Sequence, residues 1–120
     1  MRNLTSHKVA GLNEALTIAV LDEPGAGGAN HAYCIWWPGD AASMRRIDFQ
    51  NGPLLENKPN GVSNEALLAI VEDRLLGFQS GQFSCRENAI ALTHIQEAMM
   101  WLQKRTRDRM ARGVEGTSEP

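Results

Sequence analysis

The sequence predicts an α+β fold: a small N-terminal antiparallel β-sheet, followed by a C-terminal antiparallel two-helix hairpin with a long last helix. Three observations point there. Before residue 50 the apolar residues come in short β-branched or alternating runs bounded by Gly, Pro and Asn, as strands do. After Ser63 they recur every three to four residues, as on one face of a helix. No stretch of disordered composition separates the halves. The 120 residues therefore read as a single domain, 1–120, with a sheet part over 7–60 and a hairpin part over 63–112.

In chain order, Met1–Ser6 is polar and reads as frayed, and Lys8–Gly11 as a short strand. Ala15–Leu21 has the length and β-branched content of a strand. Glu23–Asn30 is a glycine-rich connection, and His31–Trp37 a second long strand, so the two form a wide hairpin. Pro38-Gly39 ends it. Met44–Phe49 alternates again and predicts a further antiparallel strand, because the connection before it is short. Leu54–Glu56 is expected to pair briefly at a sheet edge.

The first helix is expected to start at Ser63, an N-cap residue, with Glu65 in its first turn. Leu67, Leu68, Val71, Leu75 and Phe78 share its apolar face, and Gly77 and Gly81 bring it to an end. The second helix is expected to open at Ser84-Cys-Arg-Glu87, a capping-box pattern. Leu92, Ile95, Met99 and Leu102 follow in steps of three, four and three, a coiled-coil-like seam. The pattern runs to Arg112 and stops at Gly113. From Cys85 to Arg112 such a helix is about 42 Å long. A compact domain of this size is only roughly 35 Å across. The excess length, with Met100 and Trp101 toward the far end, predicts a homo-oligomer assembled on the helices.

Net charge is −2, which gives no bulk electrostatic case for duplex nucleic acid. No apolar run approaches a bilayer span, and Met1–Lys8 is not followed by the apolar core of a signal peptide. Cys34 and Cys85 lack CxxC spacing, in keeping with a reducing cytoplasm. Pro24–Ala29 is glycine-rich, but no Lys-Ser or Lys-Thr follows and no helix opens there, so it is no phosphate cradle. His7, His31 and His94 show no metal spacing with the cysteines. No nucleophile elbow or zinc-protease motif occurs, and the paired carboxylates Asp22-Glu23 and Glu72-Asp73 read as surface charge. No catalytic set, metal site or cofactor is expected.

Binding features are more definite. Arg105 and Arg109 share a helix face, with Arg112 continuing it. Guanidinium groups at that spacing can fork onto phosphate oxygens, or simply form a solvated basic helix end that suits the dipole. Phe78 and Phe83 bracket the hairpin turn, where an aromatic ring either stacks on a nucleobase or pins the two helices together. Asn88 lies in the first turn of the long helix, either as a recognition amide or as a local cap.

Four motifs then combine: Arg74-Leu-x-x-Phe-Gln79, Cys85-Arg-Glu-Asn88, Arg105-Thr-x-x-Arg109 and Gly113-Val-Glu-Gly-Thr117. On them the sequence resembles the phage-encoded Thoeris anti-defence sponge proteins, which share a helical hairpin domain with the phage anti-CBASS sponges. The resemblance covers Ser63–Glu119 closely, and Phe49-Gln-Asn-Gly-Pro53 and Asn60-Gly-Val62 more loosely. It implies a protein that is not an enzyme. Such a protein binds immune nucleotide messengers and holds them uncleaved: glycocyclic ADP-ribose isomers, and in some members cyclic di- or trinucleotides at a second site. It implies dimers or hexamers with sites between protomers, in the cytoplasm of a bacterial host, from a phage or prophage gene. Phe78 would stack on the adenine and Asn88 would hydrogen-bond the ADP-ribose-type ligand, with Gln79 and Arg86 adjacent. Arg105 and Arg109 would bind phosphates of the cyclic oligonucleotide near a symmetry axis, with Thr106 in the same motif. The competing expectations are an enzyme that hydrolyses such messengers and a helical protein-interaction module.

Overall fold

The computed structural model describes all 120 residues, and the fold is α+β. The chain divides into two compact units, Met1–Val62 and Ser63–Pro120.

The first unit holds β1 (Arg2–Leu4), a short helix α1 (Gly11–Ala15), β2 (Thr17–Val20), β3 (Ala32–Trp36) and β4 (Arg45–Asp48). The strands form one antiparallel sheet in sequence order, β1-β2-β3-β4. The pairs Ile18↔Ile35 and Val20↔Tyr33, with Tyr33↔Ile47, stack apolar side chains on one face. Phe49 adds an edge-on contact to Tyr33, with ring centroids 5.6 Å apart. Small residues pack the other face: Ala19, Ala32 and Cys34 are buried. The expected strands at Ala15–Leu21, His31–Trp37 and Met44–Phe49 form in part, as Thr17–Val20, Ala32–Trp36 and Arg45–Asp48, with Ala15 instead closing α1.

Three local expectations are corrected. Met1–Ser6 is not frayed, because Arg2–Leu4 pairs along β2 as an edge strand. Main-chain ladder bonds need no apolar alternation on an exposed edge, so the polar sequence concealed it. Lys8–Gly11 is not a strand: Lys8 N–H donates to Thr5 O in a turn at 3.0 Å, and Gly11, at φ +58, opens α1. Leu54–Glu56 turns rather than pairs, with Glu56 and Asn57 N–H both donating to Pro53 O.

What does pair beside β4 is the strand-like end of the following loop. Val62 N–H donates to Asp48 O at 2.8 Å, and Gln50 N–H to Val62 O at 2.9 Å. Gly61 is obligatory there, because a Cβ would collide with the Phe49 main chain. Side-chain amides close the loop. Asn51 N–H donates to Asn60 Oδ1 at 2.7 Å, Asn60 Nδ2 returns to Asn51 O at 2.9 Å, and Asn60 N–H meets Gln50 Oε1 at 2.8 Å. Asn51 Oδ1 also accepts from Ala26 N–H at 3.2 Å, which ties the glycine-rich connection down.

The second unit is a helical hairpin of α2 (Asn64–Gln79) and α3 (Arg86–Ala111), which pack on each other. Ser63 caps α2 as expected, its hydroxyl accepting from Ala66 N–H at 3.1 Å. Gly77 does not end α2, which continues to Gln79. A helical glycine costs about 1 kcal/mol relative to alanine, which weakens a helix at that position without ending it. The cap of α3 is Cys85 rather than Ser84, with Asn88 N–H donating to Cys85 Sγ at 3.4 Å. The seam is longer than Leu92–Leu102. Asn88, Leu92, Ile95, Met99, Leu102 and Thr106 are half-buried and Arg109 is buried, in steps of four and three. Polar residues therefore occupy both ends of an apolar seam. No apolar side chain of either helix is buried, and Ile70, Leu76, Phe83, Met100 and Trp101 are exposed.

Candidate functional site

The tip of the hairpin is built from its hydrogen bonds. After α2 the chain turns through Ser80–Ser84, with Gly81 N–H donating to Phe78 O and Ser84 N–H to Gly81 O, both at 3.3 Å. The Gln79 side chain spans this turn. Its Oε1 accepts from Cys85 N–H at 3.0 Å, and its Nε2 donates to Cys85 O at 3.2 Å. Such a two-bond clamp fixes the last residue of α2 against the cap of α3. Phe78 and Asn88 flank the clamped pair in sequence, and both belong to the same tip.

Phe78 is 36% exposed. One turn earlier Arg74 places its guanidinium carbon 5.1 Å from the centroid of the Phe78 ring, a cation–π contact. Asn88 is half-buried at the start of the seam, its main-chain N–H used by Cys85 and its side-chain amide engaged in none of the hydrogen bonds of the hairpin. Arg86 is exposed in the first turn of α3, where the free N–H groups and the positive end of the helix dipole favour anions. Phe78 and Gln79 thus lie in the last turn of α2, and Arg86 and Asn88 in the first turn of α3, with only the Gln79–Cys85 clamp joining the two turns.

A second polar group lies at the other end of α3. Asn88 and Arg109 are 21 positions apart on one helix, or roughly 32 Å, too far for one small ligand to touch both. Arg105 is exposed and unpaired, while Lys104 Nζ holds the Asp108 carboxylate at 2.6 Å. The Thr106 hydroxyl donates to Leu102 O at 3.3 Å, within its own helix. A cavity of about 260 Å³ opens here among Trp101, Lys104, Arg105, Asp108, Arg109, Arg112 and Pro120.

Arg109 is unlike the other arginines, being only 6% exposed. Its Nη2 donates to Val114 O at 2.9 Å and Thr117 O at 3.0 Å, and its Nη1 to Pro120 O at 3.1 Å and to Glu119 O. Its Nε faces the Glu115 carboxylate at 3.4 Å. Both terminal nitrogens of the guanidinium are thus hydrogen-bonded twice to the segment after the helix, and Nε is ion-paired to it. That segment is the Gly113-Val-Glu-Gly-Thr117 motif, and each residue type has a local reason. Gly113 and Gly116 adopt φ +72 and +83, where a side chain would be strained. The Thr117 hydroxyl donates to Val114 O and accepts from Glu119 N–H at 3.2 Å.

Sequence reasoning gave no site role to Arg74, Cys85 or Glu115; it placed Arg112 on the arginine stripe, without the donation of its Nη1 to Pro120 O at 2.9 Å. Arg74 could have been found from its four-residue spacing to Phe78. The others carry no periodic signal.

Fold and site together define a helical-hairpin protein with two separate polar ends, one aromatic and amide, the other arginine-rich. The chain belongs to the Acb2/Tad1 hairpin-domain family: the family described as "Acb2/Tad1, hairpin domain" matches residues 43–107. It is also similar to "Thoeris anti-defense 1" of Bacillus phage SBSphiJ7, with 53% identity over 79 residues, 66% of this chain and 56% of that protein. The matched stretch thus spans little more than half of that relative's length. This is the family to which the four motifs pointed. Phe78, Gln79, Arg86, Asn88, Arg105 and Thr106 fall inside the family match, whereas Arg109 and the Gly113–Thr117 motif lie beyond it.

Proposed function

We propose that the protein is a non-catalytic sponge, which binds immune nucleotide messengers and sequesters them, so inhibiting bacterial anti-phage defence. The ligand class at the hairpin tip is a glycocyclic ADP-ribose isomer. The observation that carries this reading is the tip itself: a partly open Phe78 ring in the last turn of α2, and in the first turn of α3 a half-buried Asn88 amide with its side chain unengaged. Family membership and the anti-defence relative support the same role.

In the binding step, adenine lies on the Phe78 ring opposite Arg74, and the amide of Asn88 donates to and accepts from the base or ribose. Arg86 and the free N–H groups of the first turn of α3 face the pyrophosphate. Gln79 acts through the turn, holding Phe78 and Asn88 in place by its clamp on Cys85. At the other end of α3, Arg105, with Thr106 and Arg109 in the same motif, serves the phosphates of cyclic di- or trinucleotides.

Capture is stoichiometric. An effector is starved when free messenger drops below its Kd, which demands slow release. Assembly into a homo-oligomer supplies this by covering the sites. The exposed apolar side chains of the hairpin, Trp101 at 62% and Phe83 at 67%, are the surface such assembly would bury. The protein acts in the bacterial host cytoplasm, where these messengers are made.

The test incubates an ADP-ribose-type cyclic messenger with excess protein, follows heat by calorimetry, then denatures the protein and analyses the ligand. Binding with intact ligand recovered is expected. Breakdown products would establish a hydrolase instead, and the absence of heat with tight binding to an effector protein would establish an interaction module.

A further inference from the structure

The cation that the arginine site most needs is already occupied. Arg109 is buried at the far end of the α3 seam, its two terminal nitrogens hydrogen-bonded to, and its Nε ion-paired with, residues 114–120. The acceptors form a cup: four main-chain oxygens, from Val114, Thr117, Glu119 and Pro120, and the Glu115 carboxylate. Carbonyl oxygens and a carboxylate are the groups nearest in hydrogen-bonding character to phosphate oxygens. Residues 114–120 therefore present to Arg109 what a phosphodiester would present, and Pro120 also lines the adjoining cavity beside Arg105 and Arg112.

We infer that residues 114–120 are an intramolecular latch, which competes with an anionic, phosphodiester-bearing ligand for the guanidinium of Arg109. The inference rests on the proposed second site and adds its regulation. With the latch closed, the site offers a phosphate Arg105, the partly free Arg112 and the Asp108-paired Lys104. An incoming ligand displaces Glu115 and the four oxygens, and its affinity is reduced by the fraction of molecules that are unlatched. The left-handed glycines and the Thr117 hydroxyl then acquire a purpose: they bend a short segment back onto the helix it has just left. No bond of this latch involves the hairpin tip, so ADP-ribose-type binding is unaffected by its state.

The test titrates the full chain with 3′,5′-cyclic triadenylate, comparing wild type with Gly116→Val and Glu115→Gln. Valine at φ +83 strains the bend without changing charge; the glutamine removes the carboxylate on Arg109. Both variants are expected to bind the probe several-fold more tightly, and both to bind an ADP-ribose-type messenger as wild type does. In wild type the probe should also speed hydrogen exchange at Val114 and Thr117, whose N–H groups donate to Arg109 O and Val114 O. Equal or weaker binding by the variants, or unchanged protection at those amides, overturns the latch while leaving the second site standing. If cyclic triadenylate binds no form of the protein while the tip ligand still binds, the second site itself is refuted, and the latch with it. Should Gly116→Val fail to fold, Glu115→Gln and the wild-type exchange data decide.

Discussion

Gln79 and Cys85 are joined at both ends of one side chain: Cys85 N–H donates to the Gln79 oxygen at 3.0 Å and the Gln79 nitrogen donates to Cys85 O at 3.2 Å. The pair does for the helical hairpin what a ladder bond does for a β-hairpin. In the proposed site Gln79, adjacent to Phe78, would therefore contribute chiefly by holding the turn.

Gln79→Ala should therefore cost about 1 kcal/mol of stability, the net worth of a hydrogen bond or slightly more. Gln79→Glu should cost at least as much, because a carboxylate can accept from Cys85 N–H but repels Cys85 O. Urea unfolding measures the loss. Exchange of the Cys85 amide hydrogen should rise in both variants, and an unchanged rate would show that the clamp does not form in solution.

Phe78→Ala removes the proposed stacking platform and should weaken ADP-ribose-type binding by ~1–3 kcal/mol, the usual value of a base–aromatic stack. Combined with Asn88→Ala, it should abolish binding in calorimetry. Binding that survives the double substitution would place the ligand elsewhere.

Arg105 and Arg109 should separate sharply, although they share a motif. Arg105 is exposed and unpaired, so Arg105→Ala should change stability by less than about 0.5 kcal/mol while weakening cyclic-oligonucleotide binding. Arg109→Ala should release the segment after α3. The global loss should stay within about 1–3 kcal/mol, since the freed carbonyls reach water as the segment lifts away. Chemical denaturation gives the first number, and amide exchange at Val114 and Thr117 reports the second event. Both substitutions should spare the ADP-ribose-type ligand.

Gly77 lies inside α2 with nothing within 4 Å of where a Cβ would stand. Gly77→Ala should stabilise the hairpin by roughly 0.5–1 kcal/mol through the lower entropy of the unfolded chain. A rise in the thermal midpoint checks this, and a fall would mean that another chain packs against that open space.

Acid should loosen the sheet unit at one turn. Partial burial raises the Asp22 pKa, but donation from His31 N–H, Ala32 N–H and the Asn30 side chain outweighs it, so the carboxyl lies below its ordinary value of 3.8. The His31 and Ala32 bonds measure 3.0 and 3.2 Å. A depressed carboxyl stabilises the fold fully above its unfolded pKa, and this is lost as pH falls through the folded one. Wild type should thus lose stability below about pH 4 with a steeper slope than Asp22→Asn. Thermal midpoints measured across that window decide it, and identical slopes would remove Asp22 from the account.

Much of this is legible in the sequence. The β-branched run within Ala15–Leu21, the apolar and aromatic run His31–Trp37, the Ser63 cap and the Leu92–Leu102 seam are local patterns, and each formed at least in part. The edge strand Arg2–Leu4 was hidden, because main-chain pairing on an exposed edge leaves no mark on side-chain choice. The cap moved by one residue, from Ser84 to Cys85, because the Gln79 clamp fixes where the second helix begins. Phe78 and Asn88 could be nominated from their places at a turn and in a first helical turn. That Gln79 is engaged while the Asn88 side chain is not could not be read from spacing.

By itself, the sequence determined the periodicities, and with them the sheet, the hairpin and the placing of its polar groups at the two ends of α3. Periodicity is a property of neighbours along the chain, so it survives without tertiary information. Only the tertiary structure decided which of those polar groups are free. Arg105 and Arg109 are indistinguishable as a four-residue pair on one helix face, yet one is open to solvent and the other is enclosed by five acceptors from residues 114–120. The difference comes from two left-handed glycines that turn the chain back over one arginine and not the other. A hydrogen-bond donor is spent or available according to where distant backbone runs, and that is settled only by the fold.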